Sequence, residues 1–285
     1  MNINQEGFIE VTGGKVWYGI VGKKTATPLI VLHGGPGYPH DSLEPLGDLV
    51  DKRRVIFYDQ LGCGNSGKSH KKALWTVDRF VNELREVIKT LGLEKYHILG
   101  HSWGAALAVS FALTKPNGLK SLILSDPYIS TPQWEKDAKR LIKKLPSDMQ
   151  KAFKKGIKDS GEYKKASKEY YYRYVNHLKK IPVAMQRASN KMNLDIYHYM
   201  WGDSEFIVNG TLKDFDPTIK IPNIEVPILL LCGRFDEATP EAVKYFNGLF
   251  HNSHFKIFED SAHTPFWNQR KEYIKTVQDF LQSVE

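Results

Sequence analysis

Near its start the chain alternates apolar and polar positions over residues 7–21, about the turn Thr12-Gly13-Gly14-Lys15. That is the pattern of a two-stranded hairpin. Further on, short apolar runs alternate with stretches of helical period. Residues 28–33, 55–59, 96–99 and 119–125 read as buried strands, and residues 76–91 and 103–114 as helices. Such alternation predicts a mostly parallel sheet with helices on both faces, since parallel neighbours need a crossover long enough to hold a helix. The rhythm breaks over residues 127–222, which are helical in pattern, rich in Lys and Tyr, and without a convincing buried strand. It then resumes with a strand at 226–232, a helix at 241–250, a strand at 254–258 and a helix at 269–283. The expectation is one α/β unit, built from residues 1–126 and 223–285, with residues 127–222 inserted as a helical cap.

Charge and composition narrow the function classes. The 285-residue chain carries a formal charge of +8 and is 41% hydrophobic, ordinary for a packed core and too apolar for a disordered chain. Between Glu135 and Lys180 fifteen Lys and Arg stand against six Asp and Glu, so the whole excess lies in the predicted cap. The lysines recur in pairs inside a helical pattern, as on a solvated face, and no nucleic-acid-binding motif accompanies them. No nucleic-acid partner is expected. The two cysteines, Cys63 and Cys232, lack metal-site spacing and support no disulfide framework. The first residues lack the basic and apolar regions of a signal peptide, and the apolar runs fall well short of the ~20 residues a membrane helix requires. A soluble cytoplasmic protein with no membrane partner is expected.

The chemistry concentrates in three segments. Gly100-His101-Ser102-Trp103-Gly104 fits G-x-S-x-G between a predicted strand and an Ala-rich helix. In that setting the serine sits on a tight strand-to-helix turn, and the flanking glycines avoid clashes. Ser102 is the candidate nucleophile. The Trp103 N–H, at the helix N-terminus, is a candidate oxyanion donor. His33-Gly34-Gly35-Pro36-Gly37 follows another strand and brings bare backbone to the same end of the sheet, with the Gly35 N–H as the second candidate donor. No Gly-Lys-Ser/Thr follows, which argues against a phosphate-binding loop. In the order nucleophile, acid, base, Asp236 falls just past the strand at 226–232, and His263 lies in the loop before the last helix. His263 is the candidate base and Asp236 the residue that fixes its tautomer. Asp260 is the rival acid, disfavoured because it shares a loop with His263. These features predict the α/β-hydrolase fold.

Taken together, His33-Gly34-Gly35-Pro36-Gly37, Asp59-Gln60-Leu61-Gly62-Cys63-Gly64-Asn65-Ser66 and Gly100-His101-Ser102-Trp103-Gly104-Ala105 resemble the proline iminopeptidase group of α/β-hydrolases. The resemblance runs through nearly the whole chain, including a cap of similar size. The elbow is shared with esterases and many other enzymes; the two Gly-rich segments are more specific. The resemblance implies a serine exopeptidase that removes an N-terminal residue, often proline, from short peptides, amides or arylamides, with no cofactor and no metal. It also implies that carboxylates from the cap and a loop hold the substrate's α-ammonium group, and Glu205 and Glu237 stand at the matching positions. A buried ammonium needs such partners, because its desolvation is otherwise costly. Equally, the adjacent acids Asp236 and Glu237 need a cation or hydrogen bonds to coexist.

Trp103, Trp201, Phe206 and Phe266, with the cap tyrosines Tyr163, Tyr170, Tyr171, Tyr172 and Tyr174, suit either an apolar slot for a proline ring or ordinary packing; the sequence leaves both open. It also leaves open an amino-acid amidase, or an esterase or lactonase, on the same machinery. An esterase would not need the two glutamates. A non-catalytic binding protein is disfavoured by the intact set of candidates, and an epoxide hydrolase or dehalogenase by Ser102 in place of Asp.

Overall fold

The computed structural model describes residues 1–23 and 26–285. Among them, eight strands form one sheet in the order β1-β2-β4-β3-β5-β6-β7-β8. The expected hairpin is β1 (Gln5–Val11) and β2 (Gly14–Val21), which pair antiparallel. β2 runs antiparallel to β4 (Arg53–Tyr58), and from there the sheet is parallel through β3 (Ala26–Leu32), β5 (Tyr96–His101), β6 (Leu119–Ser125), β7 (Ile228–Gly233) and β8 (Ser253–Phe258).

The near-continuous apolar runs of these strands follow from burial on both faces. Side chains alternate along a strand, so Ile30, Leu32, Ile56, Tyr58, Ile98, Leu122, Leu124, Ile228 and Leu230 enter one core. That core is covered by α1 (Val77–Thr90) and α2 (Trp103–Ala112). Their neighbours Leu29, Val31, Val55, Phe57, Leu99, Ile123, Leu229 and Leu231 enter a second core on the opposite face. There a 3-10 segment, His40–Asp51, supplies Leu43, Leu46 and Leu49.

Between β6 and β7 run α3 (Thr131–Ile142), α4 (Ser147–Lys155), α5 (Gly161–Tyr174), α6 (Val183–Lys191) and α7 (Leu194–Met200). This segment has its own small core, in which Leu141, Leu145, Tyr163, Tyr170, Tyr174 and Phe206 pack together. The paired lysines Lys143-Lys144, Lys154-Lys155, Lys164-Lys165 and Lys179-Lys180 are all exposed, a solvated face as their spacing suggests. After β7 come α8 (Pro240–Asn247), α9 (Pro265–Asn268) and α10 (Arg270–Ser283). The single helix expected at 269–283 is thus preceded by a short turn of its own. Tyr273, Val277 and Leu281 of α10 join the second core. No helix among the described residues is long and apolar enough to cross a membrane.

Candidate active site

The C-terminal ends of the parallel strands gather the site, as open α/β sheets do. Ser102 joins β5 to α2 with φ 54° and ψ −120°, a strained conformation costing on the order of 1–3 kcal/mol. Close packing enforces it. A Cβ on Gly104 would collide with the Leu32 carbonyl oxygen and lie 2.8 Å from that of His33, and one on Gly100 would lie 2.7 Å from Ala105 N. The flanking glycines therefore let β5, α2 and the end of β3 meet at backbone contact. The Ser102 hydroxyl makes no capping bond to α2 and stays partly exposed.

The turn after β3 is laid against this elbow, for a Cβ on Gly34 would sit 3.1 Å from Ser102 Cβ. Gly35 has φ 109°, and a Cβ there would come within 2.6 Å of the Gly37 and Tyr38 nitrogens, so no other residue fits. Among the described residues, neither the Gly35 nor the Trp103 N–H donates to a protein acceptor. Gln60 locks the turn to the elbow. Its backbone N–H donates to His33 Nε2 (2.9 Å), its side-chain amide donates to the His33 carbonyl (3.2 Å), and its Oε1 accepts from Trp103 Nε1 (2.9 Å). The Trp103 ring is accordingly buried, edge-on to Phe80, and is no slot wall.

Asp59 holds the segment beneath. It accepts from the His40 backbone N–H (2.9 Å), from His40 Nδ1 (2.8 Å) and from the Asn65 N–H (2.8 Å). Burial alone would raise its pKa, but the hydrogen bond and charge of His40 hold the carboxyl below the usual range.

The loop after β7 presents Asp236 and Glu237, and α8 begins at once, capped by the Thr239 hydroxyl accepting from the Ala242 N–H. His263 Nδ1 donates to Asp236 Oδ1 at 2.7 Å, which leaves Nε2 as the acceptor nitrogen. The Ala238 N–H donates to the same oxygen at 2.9 Å. Asp260 makes no such bond to His263; its N–H bonds the Gln269 side chain instead. Burial lowers the pKa of His263, opposed by Asp126 and Glu205 only so far as they are ionised, so the ring is neutral at neutral pH. Burial also pushes Asp236 up to about 7, against the hydrogen bonds that favour its ionised form.

Burial raises both Glu205 and Glu237, and the charges of Glu205 and Asp236 raise Glu237 further. Glu205 is steadied by the Tyr197 hydroxyl at 2.5 Å, and its carbonyl accepts from Trp134 Nε1 at 3.1 Å. Glu237 is only 3% exposed, and its Oε2 has no hydrogen-bond partner. Trp134 stands between this acidic corner and the base, its ring 6.0 Å from that of His263 and 5.4 Å from that of Trp201. Tyr163, Tyr170, Tyr174 and Phe206 pack the inserted segment, while Phe266 packs against His101 with ring centres 5.0 Å apart.

Sequence reasoning missed Gln60, Trp134, Tyr197 and Asp126. Asp126 is fully buried just after β6. One of its carboxylate oxygens, one of Asp236 and a ring nitrogen of His263 lie within 4.8 Å of one another. Among the described residues, these three are the side chains that offer metal-type ligands together, but a cation there would compete with the His263–Asp236 bond.

This chemistry has known counterparts. The α/β hydrolase fold family matches residues 27–269. A proline iminopeptidase of Heyndrickxia coagulans is 47% identical, covering 98% of this chain and 99% of its own. The chain belongs to the proline iminopeptidase family. Another member, the proline iminopeptidase of Mycobacterium smegmatis, has a crystal structure that superposes with a TM-score of 0.93 at 31% identity, covering 98% of each chain. The crystal structure of a protein named VinJ superposes with a TM-score of 0.94 at 31% identity over the full length of both chains. Esterases at 19% and 22% identity share only the fold with this family member.

Proposed function

We propose that the protein is a serine aminopeptidase that releases an N-terminal proline or other apolar residue from short peptides, amides or arylamides. The observation that carries this reading is Glu237 Oε2, buried without a partner beside a second raised carboxylate, Glu205. Two acids this close are costly unless a cation joins them, and a substrate α-ammonium supplies that cation. Full-length similarity to proteins named proline iminopeptidase supports the same substrate class.

In the proposed mechanism the α-ammonium docks between Glu205 and Glu237, which brings the first peptide carbonyl to Ser102. His263 Nε2 takes the Ser102 proton as Oγ attacks. The tetrahedral oxyanion is held by the Gly35 and Trp103 N–H groups, and Asp236 stabilises the imidazolium. His263 then protonates the leaving amine, and water hydrolyses the acyl-enzyme by the reverse path. Trp134 supplies an apolar wall beside His263 for the N-terminal side chain. Residues 127–222 serve as the lid over this pocket, and the working compartment is the cytoplasm, in keeping with two buried free cysteines. The partner is a small substrate with a free N-terminus.

The test is hydrolysis of aminoacyl arylamides, free and N-acetylated, beside a simple aryl ester, with Ser102→Ala as control. Cleavage restricted to free N-termini and strongest for proline supports the proposal. Free-amine dependence without proline preference would make the protein a broader aminopeptidase or amidase. Equal cleavage of acetylated substrates would overturn the ammonium anchor.

A further inference from the structure

Asp126 takes no part in the mechanism above, yet it is fully buried and tightly held. It follows β6 with φ 50°, a left-handed conformation uncommon for a residue with a side chain. Its N–H is tied to the Leu231 carbonyl of β7 at 2.7 Å, which anchors it beside the strand that carries Asp236. The Ser125 hydroxyl donates to Oδ2 at 2.6 Å. The other oxygen, Oδ1, is buried without a partner, and so is Asp236 Oδ2.

One oxygen of each carboxylate lies within 4.8 Å of one of the other, and two buried acids that close are an unstable arrangement if both are ionised. Among the described residues, no cation compensates a second charge. His101 Nε2 lies 3.9 Å from Asp126 Oδ2, but it bonds the His263 carbonyl at 2.9 Å, and burial pushes its pKa down to about 3. His263 has given its Nδ1 hydrogen to Asp236. The remaining neighbours that feel the charge of Asp126, Cys232 and Tyr273, are both held in their neutral forms by burial.

We infer that Asp126 is a positioning residue that carries the one proton of a carboxyl pair with Asp236 and donates it to Asp236 Oδ2. The proton supplies both missing partners. It belongs on Asp126 because Asp236 already accepts from His263 and from the Ala238 N–H, contacts that favour the ionised form, whereas Asp126 accepts only from Ser125. The direction of the pKa shift agrees: burial and the charge of Asp236 hold Asp126 well above the carboxylate range. The pair then bears a single negative charge throughout. When His263 takes the Ser102 proton, the imidazolium faces one carboxylate whose second oxygen is already pinned. This inference rests on the reading of Ser102, His263 and Asp236 as the reacting groups.

The test compares Asp126→Asn with Asp126→Gly on prolyl arylamide. Asparagine is neutral, keeps a donor for Asp236 Oδ2 and tolerates the left-handed backbone; glycine removes the donor without straining that backbone. Losing a hydrogen bond to a charged group predicts a fall in kcat of roughly tenfold or more for Asp126→Gly, with little change in KM. Asp126→Asn should recover most of that loss. Independently, the infrared difference spectrum of wild type minus Asp126→Asn at neutral pH should show the carbonyl stretch of a protonated carboxyl. An Asn variant as impaired as the Gly variant, two unimpaired variants, or absence of that band would each overturn the inference. The triad reading is judged separately by Ser102→Ala and by phosphonate labelling of Ser102. If Ser102→Ala stays active, that reading falls, whereas the infrared band still decides where the proton sits.

Discussion

Replacing Asp59 by Asn tests whether the segment under the Gly34-Gly35 turn is held by a charge. In the native structure all three neighbours of the carboxylate are donors: the His40 N–H, His40 Nδ1 and the Asn65 N–H. An amide satisfies the His40 side with its oxygen, but its NH2 then faces the Asn65 N–H, donor against donor. The loss of a charge-assisted bond costs about 1.5–3 kcal/mol, and the opposed donors about 1 kcal/mol more, since Asn65 lies partly in solvent. A total of about 2.5–4 kcal/mol corresponds to a drop in melting temperature of roughly 5–15 °C for a domain of this size. The pH dependence provides a second signature. Because His40 holds Asp59 below its unfolded value, the unfolded chain binds the proton first as pH falls. The stabilisation is therefore complete above the unfolded pKa near 3.9 and is lost as pH falls through the lower folded value. Urea unfolding followed by tryptophan fluorescence, from pH 7 to pH 3, should show the gap between wild type and variant closing in acid. A gap below about 1 kcal/mol at pH 7, or one that stays constant into acid, would refute the argument.

Gly104→Ala forces a Cβ onto the carbonyl oxygens of Leu32 and His33, both backbone, so soluble expression and circular dichroism should show a protein that fails to fold. Glu83→Ala strands the buried Arg79 guanidinium, 2.5 Å from its carboxylate, and should cost about 3–5 kcal/mol in chemical denaturation. Glu83 itself is pushed up to about 7 by burial. The folded state therefore holds its proton longer than the unfolded chain, and this group's contribution falls as pH rises from about 4.5 to 7; Glu83→Gln should remove that slope. In a pH–rate profile, kcat/KM should fall in acid as the His263–Asp236 pair takes up a proton, burial holding His263 below its ordinary 6.5 and Asp236 up at about 7. His101→Phe should leave the midpoint of that fall in place, because His101, at about 3, is already neutral there.

The features legible in the sequence were those encoded locally. The elbow could be read because Gly100, Ser102 and Gly104 are fixed by contacts within one strand–turn–helix, and the parallel strands because burial on both faces makes them continuously apolar. Asp236 and His263 were chosen by their order along the chain, a property of the fold, which brings them within 2.7 Å. Asp126 was not, because it is a single acid after a strand, with nothing nearby to mark it. Its meaning arises only when β6 and β7 become neighbours and bring residues 126 and 236 together across 110 positions of sequence. Gln60 and Trp134 escaped for a similar reason, since their partners Trp103 and Glu205 lie 43 and 71 residues away. The 3-10 segment His40–Asp51 lacks the 3.6-residue period by which helices are recognised. The tyrosines after Gly161 divide between packing and exposure: Tyr170 is buried, whereas Tyr172 is 54% exposed.

The loop that carries Asp236 is stitched to the inserted segment by its own backbone. The Glu237 N–H donates to the Tyr174 carbonyl at the end of α5 (3.1 Å), and Arg140 of α3 bonds both Thr239 and Glu241. Residues 237–241 and the insertion are therefore tied mechanically, although a strand separates them in the chain. A graft that exchanges residues 127–222 between relatives while keeping the host's own 237–241 loop would mismatch these bonds beside Asp236. Transplanting both pieces together preserves them, so specificity on this scaffold should be engineered as that discontinuous pair.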